Sequence, residues 1–351
     1  MAGAHVAGAR LRGDRLTRAL AAAAMAWLLV VLGLVAVHIF VPQRTGPIAL
    51  TEIFEPYLLL TVLIAAPLAW RFRRPTGRPV GRLAVVALII VAALRYVPAW
   101  VSLPSAPTGD QLSAMTWNLL AGPEAGQRAL EGILRSDADV IGLQELQPAA
   151  ADAIASDPTL AQRLPYRSLS PDRTVLGVGL LSRYPITDVV TSADPPFLRA
   201  VIEHPAAGSI TVFVVHPPLP GTFQSIAGAP VSIRTAERDA AIALIRSMVQ
   251  AEAQVGRPVL VIGDMNMTER EPIYAEFTQG AMRDAHLDAG IGPGFTWRPE
   301  GIAGVPFGVL RIDYVFAVGG FQPKSTFVDC ELPSDHCRLE ATLSFLQPRV
   351  R

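Results

Sequence analysis

The stretch VLVIGDMNMT, residues 259–268, joins a run of apolar residues directly to a glycine, an acid and an amide. The apolar residues VLVI are continuous rather than alternating, which indicates a short strand buried on both faces. Gly263 allows a turn or the close approach of another chain segment. Asp264 and Asn266 follow two residues apart, at the end of the predicted strand. Because α/β folds place their chemistry at strand ends, this stretch predicts an α/β fold with part of a site here.

The same pattern, an apolar run with a polar residue at its end, recurs along the C-terminal part of the chain. The other examples are Asn118 in LSAMTWNLL, Glu145 in DVIGLQEL, His216 in SITVFVVHPP, Asp313 in VLRIDYVFA, and Asp335 with His336 in SDHCRLEATLSF. Helical periodicity between these runs, as in residues 234–254, predicts strands interspersed with helices. The pattern favours an α/β or α+β domain of about 240 residues, which is large enough to bury its own core.

Each of these polar residues has a structural explanation when it is taken alone. Asn118 fits an Asx turn, Glu145 a solvated strand end and His216 a buried core histidine. Asp313 fits an ion pair with Arg311. Together, however, carboxylates and amides without thiols are the ligands that a hard cation such as Mg²⁺ prefers, and the histidines are too few and scattered for zinc. The set therefore indicates metal-assisted phosphoester hydrolysis, in which a carboxylate activates water.

The order of the short motifs resembles the endonuclease/exonuclease/phosphatase superfamily, which includes pancreatic deoxyribonuclease, apurinic endonucleases, neutral sphingomyelinases and inositol polyphosphate phosphatases. The matching motifs are WNL (117–119), LQEL (143–146), GLLSRYPI (179–186), VVH (214–216), GDMN (263–266), RIDYV (311–315) and SDH (334–336). The resemblance implies a four-layered sandwich, in which two β-sheets pack face to face and helices cover their outer faces.

The resemblance also implies a metal site. Glu145 is then the principal Mg²⁺ ligand, and Asn118 and Asp335 lie nearby. Mn²⁺ is the expected substitute for Mg²⁺. This assignment is carried over residue by residue from the motifs of the superfamily.

The remaining motif residues receive catalytic roles by the same carry-over. Asp264 orients or deprotonates the attacking water, and Asn266 binds a phosphate oxygen. Asp313 holds His336 in one tautomer, which leaves that imidazole to contact the phosphate. His216 stabilises or protonates the leaving group.

Three further residues keep two interpretations each. Arg199, in FLRAVIEH, is either a phosphate contact or a surface residue. Cys330 and Cys337 bracket the SDH motif, and they either form a disulfide that braces its loop or remain two buried thiols.

Charge is distributed unevenly along the chain. Residues 1–104 contain 11 Arg and 3 acidic residues, whereas residues 105–351 contain 19 basic and 27 acidic residues. Non-specific nucleic-acid binding depends on Lys and Arg, which displace counterions from the phosphates. Nucleic acid is therefore a less expected substrate than a lipid or small phosphoester, although a local basic groove would restore it.

Three long apolar segments, residues 19–41, 48–70 and 83–101, predict a membrane domain over residues 1–104. Each is close to the ~20 residues that cross a bilayer. Arginines precede the first segment and fill the connection between the second and third, which predicts a cytoplasmic N-terminus and an outward exit after the third. Residues 105–110 form the predicted linker and residues 111–351 the predicted catalytic domain.

The second and third segments contain charges. Arg95 either pairs with Glu52 or Glu55, because unpaired charges in a membrane are costly, or all three side chains extend to the headgroups.

The sequence thus predicts a multi-pass cell-membrane protein with an extracytoplasmic, Mg²⁺-dependent phosphoesterase domain. Tethering raises the effective concentration of phospholipid headgroups, which favours lipid or small phosphoesters, whether diesters or monoesters. The alternatives are an extracytoplasmic metal-dependent nuclease and a non-enzymatic, membrane-tethered binding domain. The sequence identifies no protein partner.

Overall fold

The computed structural model describes residues 2–70, 77–106, 109–122, 124–224, 230–299, 307–331 and 334–346. Arg71, Arg73 and Arg74, which contribute to the topology prediction, lie outside these residues, as do residues 107–108 of the predicted linker. The chain divides into two compact units. The helical unit comprises Met1–Pro98, Thr222–Arg234 and Arg270–Pro272, and the sandwich unit comprises Ala99–Gly221, Thr235–Glu269 and Ile273–Arg351.

The helical unit is built around α1 (Ala2–Phe40), α2 (Gly46–Ile53), α3 (Glu55–Trp70) and α4 (Gly77–Trp100). Two of its segments, Arg15–Phe40 and Pro79–Pro98, are long and apolar enough to cross a membrane. The predicted second span, residues 48–70, is instead divided between α2 and α3, which are bent by 76°. Two of the three predicted spans are therefore continuous helices long and apolar enough to cross a membrane, whereas the second is not shown as a continuous spanning helix.

A proline explains why the second span is broken. Pro56 has no N–H to donate, and its ring collides with the carbonyl group of the preceding helical turn. The helix that begins at Gly46 therefore ends at Ile53, and a new helix begins at Glu55.

Inside the helical unit, Glu55 collects three hydrogen-bond donors from other helices. Arg95 Nε lies 2.8 Å from Glu55 Oε1, and the Tyr96 hydroxyl donates to the same oxygen at 2.9 Å. His38 Nδ1 lies 2.8 Å from Glu55 Oε2. The structure thus confirms the predicted pairing of Arg95 and assigns it to Glu55. Glu52 is also buried, and its Oε2 has no hydrogen-bond partner among the described residues.

Fourteen strands follow in the part of the chain that the structure describes. They are β1 (Gln111–Asn118), β2 (Val140–Gln144), β3 (Tyr166–Ser170), β4 (Val178–Ser182), β5 (Ile186–Ala193), β6 (Pro196–His204), β7 (Gly208–Val215), β8 (Gly221–Gln224), β9 (Pro230–Arg234), β10 (Val259–Asp264), β11 (Arg283–Asp284), β12 (Asp313–Val318), β13 (Phe321–Asp329) and β14 (Arg338–Phe345). The accompanying helices are α5 (Ala125–Leu134), α6 (Pro148–Ser156), α7 (Pro158–Arg163), α8 (Ala236–Gln254), α9 (Pro272–Phe277) and α10 (Ala285–Ala289).

Twelve of these strands form two six-stranded mixed sheets, and β8 and β9 form a separate pair. The first sheet has the order β13-β14-β1-β2-β4-β3, and the second has the order β11-β12-β10-β7-β6-β5. Leu112 of the first sheet and Val212 of the second share one buried core, so the sheets pack face to face. Trp117 packs on the outer face of the first sheet with Ile133 of α5, and Ile242 of α8 covers the outer face of the second. The predicted two-sheet sandwich flanked by helices is therefore present.

One parallel strand pair in each sheet positions the polar strand ends. β1 and β2 are parallel, so Asn118 at the end of β1 lies beside the end of β2, which Glu145 follows. β7 and β10 are also parallel, and Asp264 ends β10 near the point where His216 follows β7. β12 runs antiparallel to β10 and begins with Asp313 opposite Asp264.

Gly263 permits the close approach of β7 to β10. A Cβ atom at this position would collide with the carbonyl oxygen of Val215 in β7. Gly263 is not among the glycines with positive φ, so the requirement is for space rather than for a left-handed backbone.

Candidate active site

Asp264 lies at the centre of the predicted site and is almost completely buried. Its Oδ2 accepts a hydrogen bond from Asn118 Nδ2 at 3.1 Å, and its Oδ1 accepts one from the backbone N–H of Asn266 at 2.9 Å. The Nε2 atoms of His216 and His336 each lie 3.6 Å from Asp264 Oδ2. Residues separated by more than 200 positions in the sequence therefore meet around one carboxylate.

Asn118 joins Asp264 to Glu145, because its Nδ2 also donates to Glu145 Oε1 at 3.0 Å. The other oxygen of Glu145 accepts the backbone N–H of Ala121 at 2.8 Å. Asn118 Oδ1 accepts the backbone N–H of Leu120 at 3.0 Å, which fixes the orientation of the amide. The amide therefore holds two carboxylates with its N–H groups.

His336 is oriented by Asp313. His336 Nδ1 lies 2.8 Å from Asp313 Oδ2, and both side chains are buried. A carboxylate accepts the proton of Nδ1, so Nε2 faces Asp264. Arg311 instead lies 2.6 Å from Asp284, which leaves Asp313 to the histidine.

His216 is held by a backbone carbonyl rather than by an acid. Its Nδ1 lies 3.1 Å from the carbonyl oxygen of Val175. Because a carbonyl only accepts, Nδ1 carries a proton, and Nε2 faces the carboxylates. This Nε2 lies 3.6 Å from Asp264 and 4.0 Å from Glu145. The sequence shows no acidic partner for His216, and a main-chain partner leaves no sequence signal.

Burial and neighbouring charges shift the pKa values of the cluster. Burial raises the pKa of Asp264 to about 6, although the charges of His336 and His216 oppose the shift. Burial alone would lower the pKa of His336, but the charges of Asp313 and Asp264 raise it to about 10. His336 is therefore an imidazolium at neutral pH, and Asp264 changes its protonation state just below neutrality.

Two places in the described part of the site have acidic side chains that a cation could approach. The ligand atoms of Asp264, Asp313 and His336 all lie within 4.8 Å of one another. The protonated imidazole already supplies the positive charge there, hydrogen-bonded to Asp313 and 3.6 Å from Asp264. Asp335 differs, because its buried Oδ1 has no hydrogen-bond partner among the described residues. Burial raises the pKa of Asp335, and the negative charge of Glu145 raises it further. A cation beside these two carboxylates would offset the burial cost and the repulsion between them.

Strained backbone is concentrated at this cluster. Among the described residues, the non-glycine residues with positive φ are Leu120 (58°), Glu145 (54°), Asp188 (48°) and Asn266 (50°). Three of these four lie in the cluster or directly beside Asn118. Such conformations cost on the order of 1–3 kcal/mol each and are concentrated at functional sites in proteins.

The loop that carries Asp335 and His336 is fixed by residues to which the sequence assigned no role. Ser334 Oγ donates to the carbonyl of Asn118 at 2.8 Å, and Trp117 Nε1 donates to the carbonyl of His336 at 3.1 Å. Arg298 donates from its side chain to the carbonyls of Cys330 and Ser334. Ser334 and Trp117 lie within the quoted motifs, whereas Arg298 lies in none of them.

The residues left with two interpretations in the sequence are assigned as follows. Cys330 and Cys337 form a disulfide. Arg199 pairs with Glu252 and Asp188, which favours the surface interpretation over a phosphate contact. Arg238 of α8, which the sequence did not single out, donates to the carbonyl of Asn266 at 2.6 Å and so positions the loop after β10.

The fold and the cluster together define a class of protein. It is a two-sheet α/β sandwich in which acids, an amide and two histidines meet at strand ends from both sheets. The chain belongs to the Endonuclease/Exonuclease/phosphatase family, whose sequence profile matches residues 115–336, more than half of the chain. Members of this family are typically metal-dependent phosphoester hydrolases. No curated protein matches the chain.

Solved structures share the sandwich. D. rerio TDP2 complexed with single strand DNA product is 18% identical, with a TM-score of 0.53 over 67% of this chain and 100% of that chain. An endonuclease/exonuclease/phosphatase family protein from Bacteroides thetaiotaomicron is 17% identical, with a TM-score of 0.53 over 69% and 98%. A functionally unknown conserved protein from Enterococcus faecalis V583 is 18% identical, with a TM-score of 0.51 over 67% and 100%. At these identities the likeness establishes the fold.

Proposed function

We propose that this chain is a membrane-anchored phosphoesterase that uses Mg²⁺, with Mn²⁺ as a substitute, to hydrolyse phosphodiester or phosphomonoester bonds of lipid headgroups or small phosphoesters outside the cytoplasm. The observation that carries the proposal is the convergence of Asn118, His216 and His336 on Asp264, with Glu145 joined to it through Asn118. Side chains that serve stability alone do not require two imidazoles and several carboxylates at one strained edge of two sheets.

Glu145 and Asp335 would hold the metal ion, with Asn118 beside them. Their oxygen donors suit a hard divalent cation, and Asp335 has a buried oxygen without a partner among the described residues. When bound, such a cation neutralises charge on the phosphate and on the leaving oxygen.

The protein groups divide the proton transfers among themselves. Asp264, with a pKa raised to about 6, is the group that accepts a proton from water at neutral pH. The His336 imidazolium donates a hydrogen bond to a phosphate oxygen, and Asp313 keeps its Nδ1 occupied. His216 Nε2 is free to exchange a proton with the leaving group. Asn266, whose Nδ2 donates to the Pro217 carbonyl at 3.0 Å, links the loops that carry Asp264 and His216.

Two observations support membrane anchoring and an extracytoplasmic site. Two continuous helices are apolar and long enough to cross a bilayer. The disulfide between Cys330 and Cys337 is typical of oxidising compartments.

The excess of acidic residues after residue 104 favours small or lipid phosphoesters over nucleic acid.

The proposal is tested on the full chain in lipid nanodiscs with Mg²⁺, against phospholipids, inositol phosphates, nucleotides and DNA. We expect turnover of a phospholipid or small phosphoester that EDTA abolishes and that Mg²⁺ or Mn²⁺ restores. Preferred cleavage of DNA, weakened by added salt, would instead support the nuclease alternative. Binding without turnover of any substrate would support the non-enzymatic alternative.

A further inference from the structure

The β8–β9 hairpin belongs to the helical unit although its sequence lies in the middle of the sandwich domain. Thr45 and Gly46, which connect α1 to α2, form antiparallel bridges with Arg234 and Ile233 of β9. If α1 crosses the bilayer, its end at Phe40 lies at one membrane surface. The hairpin, bridged to the residues that follow, then lies at that same surface.

The composition of the hairpin segment matches this location. Residues 217–233 contain no Asp, Glu, Lys or Arg over 17 consecutive positions. The run ends at Arg234, whose guanidinium lies 5.9 Å from the centre of the Phe223 ring. An uncharged segment that contains an aromatic residue and ends at a basic one fits a position in a membrane interface.

The exposure of the hairpin side chains points in the same direction. Ile233 is buried, whereas Val231, two positions earlier and so on the same face of β9, is 49% exposed. Phe223 on β8 is 55% exposed, and Phe40 at the end of α1 is 80% exposed. The apolar face of β9 that is buried at Ile233 is therefore uncovered at Val231, and Phe223 and Phe40 are further exposed apolar side chains of the same unit.

We infer that the β8–β9 hairpin is a lipid-contacting element that inserts Phe223 and Val231 into the interface of the bilayer in which α1 is anchored. The inference rests on the anchoring in the proposed function and deepens it, because the hairpin begins five residues after His216. Along the chain, only five positions separate a residue of the proposed site from the first residue of this lipid-contacting element. The substrate class that this arrangement serves is a phosphoester held in a bilayer.

Insertion is measured without any activity assay. Phe223→Cys and, as a matched control, Phe327→Cys are each labelled with an environment-sensitive fluorophore in the full chain in nanodiscs. Phe327 is the same residue type with 60% exposure on β13 of the sandwich unit, and the two native cysteines are bonded to each other. We expect lipids with a nitroxide near the headgroup to quench the label at 223 several-fold more than the label at 327. Equal quenching at both positions would overturn the inference.

Kinetics then test the substrate class. Phe223→Ser combined with Val231→Ser should lower turnover of a bilayer-embedded phospholipid about ten-fold and turnover of a water-soluble phosphodiester less than two-fold. Phe327→Ser should change neither rate. An equal loss on both substrates would overturn the role in lipid presentation. Strong quenching at 223 with no hydrolysis by the unmodified chain would contradict the proposed function. The assignment of the hairpin as a lipid contact would still stand.

Discussion

Asp264 and Asp284 are both buried carboxylates in the sandwich unit, yet their surroundings shift their pKa values in opposite directions. Burial raises the pKa of Asp264 to about 6, and the negative charge of Asp313 adds to the shift. Burial acts on Asp284 in the same sense, but the charge of Arg311 and the hydroxyl of Tyr274 outweigh it and lower its pKa. The same desolvation thus produces a group that titrates and a group that stays ionised.

The difference follows from how completely each carboxylate is satisfied. Asp284 accepts hydrogen bonds from Tyr274, from Arg311 and from two backbone N–H groups of α10. Among the described residues Asp264 accepts fewer hydrogen bonds, from the Asn118 amide and the Asn266 backbone, its two imidazoles lie at 3.6 Å, and neighbouring Asp313 and Asp335 each have one buried oxygen without a partner. We therefore expect satisfied carboxylates to determine stability and unsatisfied ones to determine turnover.

The largest effect is expected at Glu145. Glu145→Gln removes the charge that would hold the metal, so hydrolysis should fall on the order of 10³-fold. Without metal, the thermal midpoint should stay equal or rise, because a charge is removed from an acidic cluster. Glu131→Gln, at an exposed ion pair on α5, is the control and should change neither property. A normal rate in Glu145→Gln would refute the assigned metal site.

The reverse result is expected at Asp284. Asp284→Asn leaves the buried Arg311 without its closest carboxylate and should cost about 3–4 kcal/mol of unfolding free energy, with little change in turnover per folded molecule. Asp288→Asn, in an exposed pair with Arg283, is the control.

The pH dependence of that cost has a definite sign. The folded pKa of Asp284 lies below its ordinary value of 3.8, so its contribution is complete above about pH 5. It is lost as the pH falls through 3.8 towards the folded pKa. The difference in chemical-denaturation midpoint between unmodified protein and Asp284→Asn should therefore shrink on acidification. A difference that grows at low pH would contradict the assignment.

Replacing Asp313 tests whether this residue acts by positioning His336 rather than by contacting the substrate itself. Asp313→Asn should lower turnover on the order of 10²-fold, because His336 loses the partner of its Nδ1. The pKa of His336 then falls from about 10, so the deficit should grow between pH 6 and pH 9 as the imidazolium is lost. In a His336→Gln background the same change should cost almost nothing further. Independent losses in the double variant would rule out a shared role.

The disulfide is expected to contribute to stability rather than to turnover. Replacing both Cys330 and Cys337 by Ser should lower the unfolding free energy by about 2 kcal/mol, since the bond closes a short loop. Titration of the unfolded, unreduced protein should find no free thiol. Two reactive thiols would show that the bond does not form.

The smallest effect is expected at Glu55, the satisfied carboxylate of the helical unit. Glu55→Gln weakens its bonds to Arg95 and His38 and should lower the stability of the helical unit by about 1 kcal/mol. Turnover of a soluble substrate should remain within two-fold. Arg95→Leu should reproduce the loss, and unchanged thermal unfolding of both variants in nanodiscs would show that the pairing does not matter.

The sequence predicted the sandwich well because its strands are short, continuous apolar runs that end in polar residues. The ends of β1, β7 and β10 coincide with Asn118, Val215 and Asp264, as the motifs indicate. The membrane helices were predicted from length and apolarity, but the consequence of Pro56 inside the second segment was not. A single proline outweighed an apolar run of adequate length.

The site residues were predicted as a set, whereas the contacts that hold them were not. His216 depends on the carbonyl of Val175, and the SDH loop depends on Arg298, through bonds to backbone atoms. Backbone acceptors are identical at every residue, so side-chain patterns cannot reveal them. The placement of the β8–β9 hairpin with the helices likewise depends on two backbone bridges near Thr45, which leave no pattern in the sequence.

The close approach of β7 and β10 at Gly263 has a consequence for inheritance. Val215 and Gly263 immediately precede His216 and Asp264, so the spacing of these two side chains depends on the lack of one methyl group. Every missense change of a glycine codon adds at least that methyl, and here it would meet a main-chain oxygen. Codon 263 therefore has no missense neighbour that keeps the two strands at their present distance, and a lineage that alters it also alters the spacing of His216 and Asp264.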